Sequence, residues 1–257
     1  MERLKYFTSF LLICLLFFSQ ASHAAPLPDE EELKFHINVF GVMRALDVAI
    51  KFSKGQEKDQ YIGTLKLKPL GLLKWIVPFS QSEMTSTMRF LPSSNRLRLE
   101  NFEKDTQSRR HYRGVYQFDY VKGELIGQGF FDGKALNPEV FTLPEDGGFY
   151  YEDLLTFLYN VRSGGYGDLK PGDKVLIHML PGKGQRTFQF EYLGATSSRD
   201  RKSPAEKFVV SLHLDREFYG LKIGEMKIWL SESLSPLRGL AKNVVGWGDV
   251  ALVPAAH

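Results

Sequence analysis

The chain has 257 residues, a formal net charge of +3, 43% hydrophobic residues and a single cysteine. Acidic and basic residues are interleaved, which excludes a dedicated nucleic-acid binder, where Lys and Arg cluster on one face. One thiol cannot make an internal disulfide or a thiolate metal cage, and the length suits one large domain with a proper core.

The first residues carry an address. Glu2-Arg3-Leu4-Lys5 is a short charged start, Phe10 to Phe18 is an almost unbroken apolar run, and Ser22 and Ala24 are the small −3 and −1 residues of a cleavage site. This three-part layout predicts a secretory signal peptide over 1–24, cut after Ala24 and followed by one domain over 25–257. An uncleaved anchor is the alternative. Lipidation at Cys14 is disfavoured, because Ile13 precedes it and the apolar run continues beyond it. The expected location is the bacterial periplasm, an oxidising compartment that suits a chain without a mature thiol.

Period-two alternation then dominates, the pattern of half-buried strands. It runs through Leu33–Phe40 and Ala45–Phe52, with Gly41 and Gly55 at their ends, then Tyr61–Leu67, Glu83–Leu91, Leu97–Phe102 and Val115–Tyr120. The apolar stretch Leu65–Phe79 is broken by Pro69, Gly71 and Pro78. It reads as a helical turn plugging the end of a barrel, or as a lid or membrane-touching loop in which apolar residues are flanked by lysines. Arg109, Arg110 and Arg113 form a basic cluster, either a solvated hairpin end or a site for an anionic headgroup or acidic partner. Glycines 127, 129 and 133 read as a bulged strand.

From Tyr151 to Val161, Leu154, Leu155, Leu158 and Tyr159 follow helical spacing. Glu152 and Asp153 are expected in the first turn, Arg162 in the last, and Ser163-Gly164-Gly165 at the stop. Strand patterns resume at Val175–Met179 and Thr187–Leu193, a hairpin through Pro181-Gly182-Lys183-Gly184. They recur at Phe208–Leu214, Met226–Leu230 and Gly248–Val253. The expected fold is mainly β: a curved antiparallel sheet, as an open or half barrel or a barrel-like sandwich, with one main α-helix packed on it.

Catalytic patterns are missing. There is no G-x-S-x-G, no H-E-x-x-H, and no glycine spacing that would cradle a phosphate. His213 and Asp215 share a strand side, a pairing that alternation produces by chance. The chain is therefore read as a non-enzyme without metal or cofactor.

Glu152-Asp153-Leu154-Leu155-Thr156-Phe157-Leu158-Tyr159-Asn160-Val161-Arg162, followed by Leu169-Lys170-Pro171-Gly172-Asp173, resembles the D-x-L-S-x-L-Y-x-x-R … L-x-P-G-D stretch of the exported domain-of-unknown-function family 3108. Phe118-Asp119-Tyr120, Lys227-Ile228-Trp229-Leu230-Ser231 and Pro236 extend the likeness. Glu232-Ser233 departs from the aspartate-rich turn expected after the Trp strand. The resemblance implies a periplasmic antiparallel β domain akin to half-barrel lipoprotein carriers, with no enzyme activity and no functional residues to carry over.

These features predict an apolar groove for a lipid, acyl chain or hydrophobic peptide, lined or gated by Trp75, Ile76, Phe79, Leu158, Tyr159 and Trp229. Peripheral membrane contact is compatible with this, and nucleic acid is not an expected partner. The alternatives are a cell-envelope assembly factor that binds protein through sheet edges or the basic hairpin, and, less favoured, a hydrolase.

Overall fold

Alternating side chains of this kind can bury only one face of a strand, so the chain needs a sheet with something to wrap. In the computed structural model that object is a helix. The structure describes residues 25–40, 42–71, 74, 79–143, 151–180, 187–213, 217–218, 221–222, 225–244 and 248–255. The segment 1–24, Trp75, Ile76, the Pro181–Gly184 loop and Asp215 lie outside them.

The first half is a meander: β1 (Glu30–Val39), β2 (Met43–Lys54), β3 (Gln60–Pro69), β4 (Gln81–Leu91), β5 (Arg96–Gln107), β6 (His111–Asp119) and β7 (Glu124–Phe131), with short β8 (Lys134–Ala135) and β9 (Glu139–Thr142) both paired to β7. The helix α1 (Leu154–Ser163) follows. The second half comprises β10 (Lys174–His178), β11 (Thr187–Ala195), β12 (Phe208–His213), β15 (Glu225–Leu230), β16 (Pro236–Val244) and β17 (Gly248–Pro254), with β13 (Glu217–Phe218) and β14 (Leu221–Lys222) forming a separate two-stranded ribbon. The last strand pairs antiparallel with the first, Phe35 opposite Pro254 and Asn38 opposite Ala251. Both halves therefore merge into one 15-stranded antiparallel sheet that runs from β10 to β8. The sheet is open, and α1 links strands near its two opposite edges.

The helix has two apolar sides rather than one. Leu155 and Tyr159, four residues apart, pack with Phe35, Phe52, Met88, Leu97 and Leu99 of the first half. Phe157 and Val161 pack with Ile177, Phe188, Phe190 and Leu212 of the second. Tyr159 stacks on Phe52 with ring centroids 3.7 Å apart, and the Phe157 ring meets Phe188 edge-on at 5.1 Å. Each fully buried side chain of this size stabilises the fold by about 1.5–3 kcal/mol, so α1 is the spindle on which the two half-sheets are held.

Three expectations need correction. The helix starts at Leu154, not Tyr151, because Asp153 is its N-cap: its backbone is extended, and its carboxylate accepts the Thr156 amide at 2.7 Å. Glu152 therefore precedes the helix, and its amide donates to the His178 carbonyl at 2.8 Å. The β6–β7 pairing through Gly127 and Gly129 runs in unbroken register, so that strand has no bulge. The stop at Gly164 is as expected, in the left-handed region with φ 75°.

Candidate functional site

Buried polar groups come first, since burial is where chemistry or architecture must account for their cost. Glu152 is fully buried and accepts hydrogen bonds from Arg96 Nε at 3.2 Å, from Arg96 Nη2, from Asn160 Nδ2 at 3.1 Å and from the Tyr166 hydroxyl at 2.5 Å. Asn160 also bridges both backbone groups of Leu97, accepting from its amide at 2.6 Å and donating to its carbonyl at 3.0 Å. Asp153 takes the Ser86 hydroxyl, and Arg162 meets Glu31. Burial pushes the Glu152 and Asp153 carboxyls above their ordinary values, against the opposing pull of Arg96 on the first and of Ser86 and Thr156 on the second. Arg96, Leu97 and Ser86 of the sheet and Glu31 of β1 thus meet the helix and its flanks, so this network bolts α1 into the sheet. Its carboxylates Glu152 and Asp153 are buried.

The open ground lies elsewhere on the inner face. Directly opposed residues share a face, so the register places Lys104 between Met84 and Gly114, Thr106 beside Tyr112, Tyr112 beside Phe131, Gly114 beside Gly129 and Tyr116 beside Gly127. Phe102 and Leu125 of this face are buried under the core, but beyond them cover is partial: Tyr112 is 37% and Leu136 49% exposed, and Tyr116, Phe131 and Phe141 are half-buried. The three glycines form the floor. A Cβ on Gly114 would stand 3.1 Å from the Tyr112 hydroxyl, one on Gly127 3.1 Å from the Tyr116 ring, and one on Gly129 3.0 Å from the Leu136 side chain. Those side chains therefore lie flat across bare backbone, which makes a shallow aromatic trough over β5–β7. Lys104 stands on this face between Met84 and Gly114, and burial pushes its pKa below the ordinary lysine value.

The other cavities have different characters. One on the outer face of β4–β5, about 240 Å³, is walled by Gln81, Glu83, Thr85, Glu103, Asp105 and Gln107. Its acids already have partners: Lys66 reaches Glu83 at 3.0 Å, Arg113 reaches Glu103 at 2.5 Å and His111 reaches Asp105 at 2.8 Å. A second, of about 30 Å³ between α1 and Tyr192, holds little more than one water.

The expected site residues do not converge. Tyr159 is fully buried and hydrogen-bonded to Glu31 at 2.9 Å. Trp229 is 5% exposed under the Arg238 guanidinium, 3.3 Å from its ring, on the second half-sheet. Both are packed core. Leu158 and Phe79 are half-buried, while Trp75 and Ile76 lie outside the described residues. The basic cluster is split: Arg113 forms a two-pronged pair with Glu103, Arg110 lies over Phe131 at 5.2 Å, and Arg109 is exposed. His213 faces Glu191 at 3.2 Å. Among the described residues no three His, Cys, Asp or Glu gather for a metal, and no helix is long and apolar enough to cross a membrane. Sequence reasoning missed Tyr112, Gly114, Gly127, Gly129 and Lys104 as one surface. The available signal was the alternate-position glycines facing alternate-position tyrosines on the neighbouring strand.

An open antiparallel sheet wound around a buried helix, with a part-covered aromatic face, defines the class: a mainly β domain held on one helix. The chain belongs to the family described as Protein of unknown function (DUF3108), whose profile matches residues 34–250. Among solved structures it is similar to the beta-barrel-like protein of domain of unknown function DUF1849 from Brucella abortus, at 7% identity and a TM-score of 0.48 over 87% of this chain and 94% of that one. No curated protein matches it.

Proposed function

We propose that the chain is a non-catalytic, exported binding domain whose trough takes an amphiphile, the acyl chain lying over the glycine floor and an acidic head meeting Lys104. The observation that carries this is the part-covered aromatic face of Tyr112, Tyr116, Phe131 and Phe141, with half-buried Lys104 in the same rows of residues. An anionic head placed against Lys104 restores the charged form, as an opposite charge within a few ångströms does. Each methylene covered adds about 0.8 kcal/mol, so a long chain binds usefully without any reacting group. Of the residues expected from sequence to line a groove, Leu158 and Phe79 keep the half-exposure such a role requires.

The test compares palmitate with hexadecanol, titrated by displacement of a fluorescent fatty acid. Palmitate should bind more tightly, Lys104→Met should erase that preference, and Gly127→Leu should block both ligands by lifting Tyr116. Equal binding of acid and alcohol by the parent would refute the role of Lys104. Binding of neither would refute the trough. A second function, envelope assembly by strand addition, is favoured by β10 as the edge strand of the sheet among the described residues, where Leu176 is 57% exposed. A partner protein recovered from envelope extracts, with no lipid in the purified chain, would select it.

A further inference from the structure

In an antiparallel meander alternate strand ends fall at the same end of the sheet, so the ends of β1, β3, β5, β7 and β16 and the starts of β2, β4, β6, β8 and β17 share one rim. Local contacts join them. Gly248 sits against Phe40, closely enough that a Cβ there would be 3.2 Å from its ring, and the Leu70 amide donates to the Ala45 carbonyl at 2.8 Å. The Ser80 amide donates to the Gln107 carbonyl at 2.7 Å, and the Asp132 amide to the His111 carbonyl at 2.8 Å.

Two properties coincide on this rim. Its β1–β2 tip shows three large apolar side chains to solvent: Phe40 at 58%, Val42 at 85% and Met43 at 39% exposure. At the same end of the sheet are exposed Lys68, Lys74, Arg109, Arg110, Lys134 and Lys242, none with a carboxylate at ion-pair distance among the described residues, against the exposed acids Asp132, Glu225 and Asp249. The opposite end mixes signs and pairs several of them, as in Lys54 with Asp29, Lys122 with Asp119 and Arg238 with Glu206, beside exposed Lys58, Arg199 and Lys207. Apolar fingertips on an edge that also carries exposed cations match an anionic bilayer surface: the side chains enter the interface while the cations meet headgroup phosphates.

We propose that this rim docks on an anionic lipid bilayer, with Phe40, Val42 and Met43 inserted and the Lys and Arg of the same edge on the headgroups. The occupant is a membrane rather than an acidic protein, because the apolar residues project at a hairpin tip and line no cleft. This goes beyond the amphiphile trough and is independent of it: vesicle binding with an empty trough leaves the rim proposal standing, and the reverse result leaves the trough.

The test is co-sedimentation of the full chain with phosphatidylcholine vesicles, with and without phosphatidylglycerol, at low and raised salt. The parent should favour the anionic vesicles, and salt should weaken the preference. Lys68→Glu with Lys242→Glu should lower partitioning by more than about 25-fold, each cation being worth about fivefold near such a surface. Val42→Asp should lower it about tenfold or more. Val121→Asp, at a 98% exposed site on the opposite end, should change nothing. All variants share residues 1–24, so differences between them report on the rim alone, and thermal melts check folding. If Val42→Asp melts poorly, Val42→Ser replaces it. Equal binding to both vesicle types, unchanged binding in the charge variant, or equal loss in Val121→Asp would each overturn the proposal.

Discussion

Removing Glu152 is the sharpest test of how α1 is held. Its carboxylate is fully buried and is the shared acceptor for Arg96, Asn160 and Tyr166. In Glu152→Ala three donors lose that acceptor, and the Arg96 side chain, still 20% exposed, can recruit only partial hydration. Breaking a buried pair costs about 3–5 kcal/mol, and that residual exposure places this case near about 3 kcal/mol. At about 2–4 °C per kcal/mol for a domain of this size, the melting temperature should drop by about 6–12 °C. Arg96→Met should cost a similar amount, because it leaves a carboxylate in the core. The double variant Arg96→Met with Glu152→Ala removes both charges and should cost little more than either single change, a coupling of about 3 kcal/mol. Urea unfolding followed by the fluorescence of buried Trp229 measures all four corners of the cycle. Additive single effects, or a Glu152→Ala loss under about 1 kcal/mol, would refute the claim that this network locks the helix.

Leu155→Ala and Phe157→Ala, at sites 1% and 3% exposed on opposite sides of α1, should each cost about 3–5 kcal/mol by urea unfolding; a large loss at only one would mean that one half-sheet alone supports the helix. Asp153→Ala should cost about 1–2 kcal/mol and Asp153→Asn much less, because asparagine also caps, and equal losses would remove the cap from the account. A carboxyl held above its ordinary value, 4.5 for Glu and 3.8 for Asp, contributes stability that is complete below that value and lost as pH climbs through the raised one. The parent should therefore lose stability from about pH 4 toward neutrality relative to Glu152→Gln with Asp153→Asn, and parallel urea midpoints across that range would contradict it.

Much of the sheet was legible because burial on one face forces alternation. Leu97 and Leu99 are buried where the pattern placed them, whereas Phe102 is buried out of phase because the β4–β5 register shifts between Thr87 and Met88. Where inward positions are not apolar the signal failed. β7 turns Gly127 and Gly129 inward, their space filled by Tyr116 and Leu136 from elsewhere, and β16 opens on Pro236 and carries Gly239. The helix was found by its spacing, but its start was misplaced because Asp153 acts through its side chain at the cap while Glu152 acts through distant Arg96 and Tyr166. Aromatic residues were read as groove linings for want of partners. Tyr159 has Phe52 and Trp229 has Arg238, and neither pairing leaves a local trace in sequence. The trough depends on which strand lies next to which, and short-range patterning does not encode that.

The seam between β1 and β17 sets the order of assembly. β1 is synthesised early and pairs at once with β2, yet its other flank waits for residues 248–254, whose Ala251 to Pro254 stretch lies against Phe35 to Asn38. Until then two half-built sheets each present a raw edge at what becomes the middle of the molecule. A nascent chain cannot mature piecemeal, and a copy truncated before residue 248 keeps two sticky borders that invite aggregation or chaperone capture.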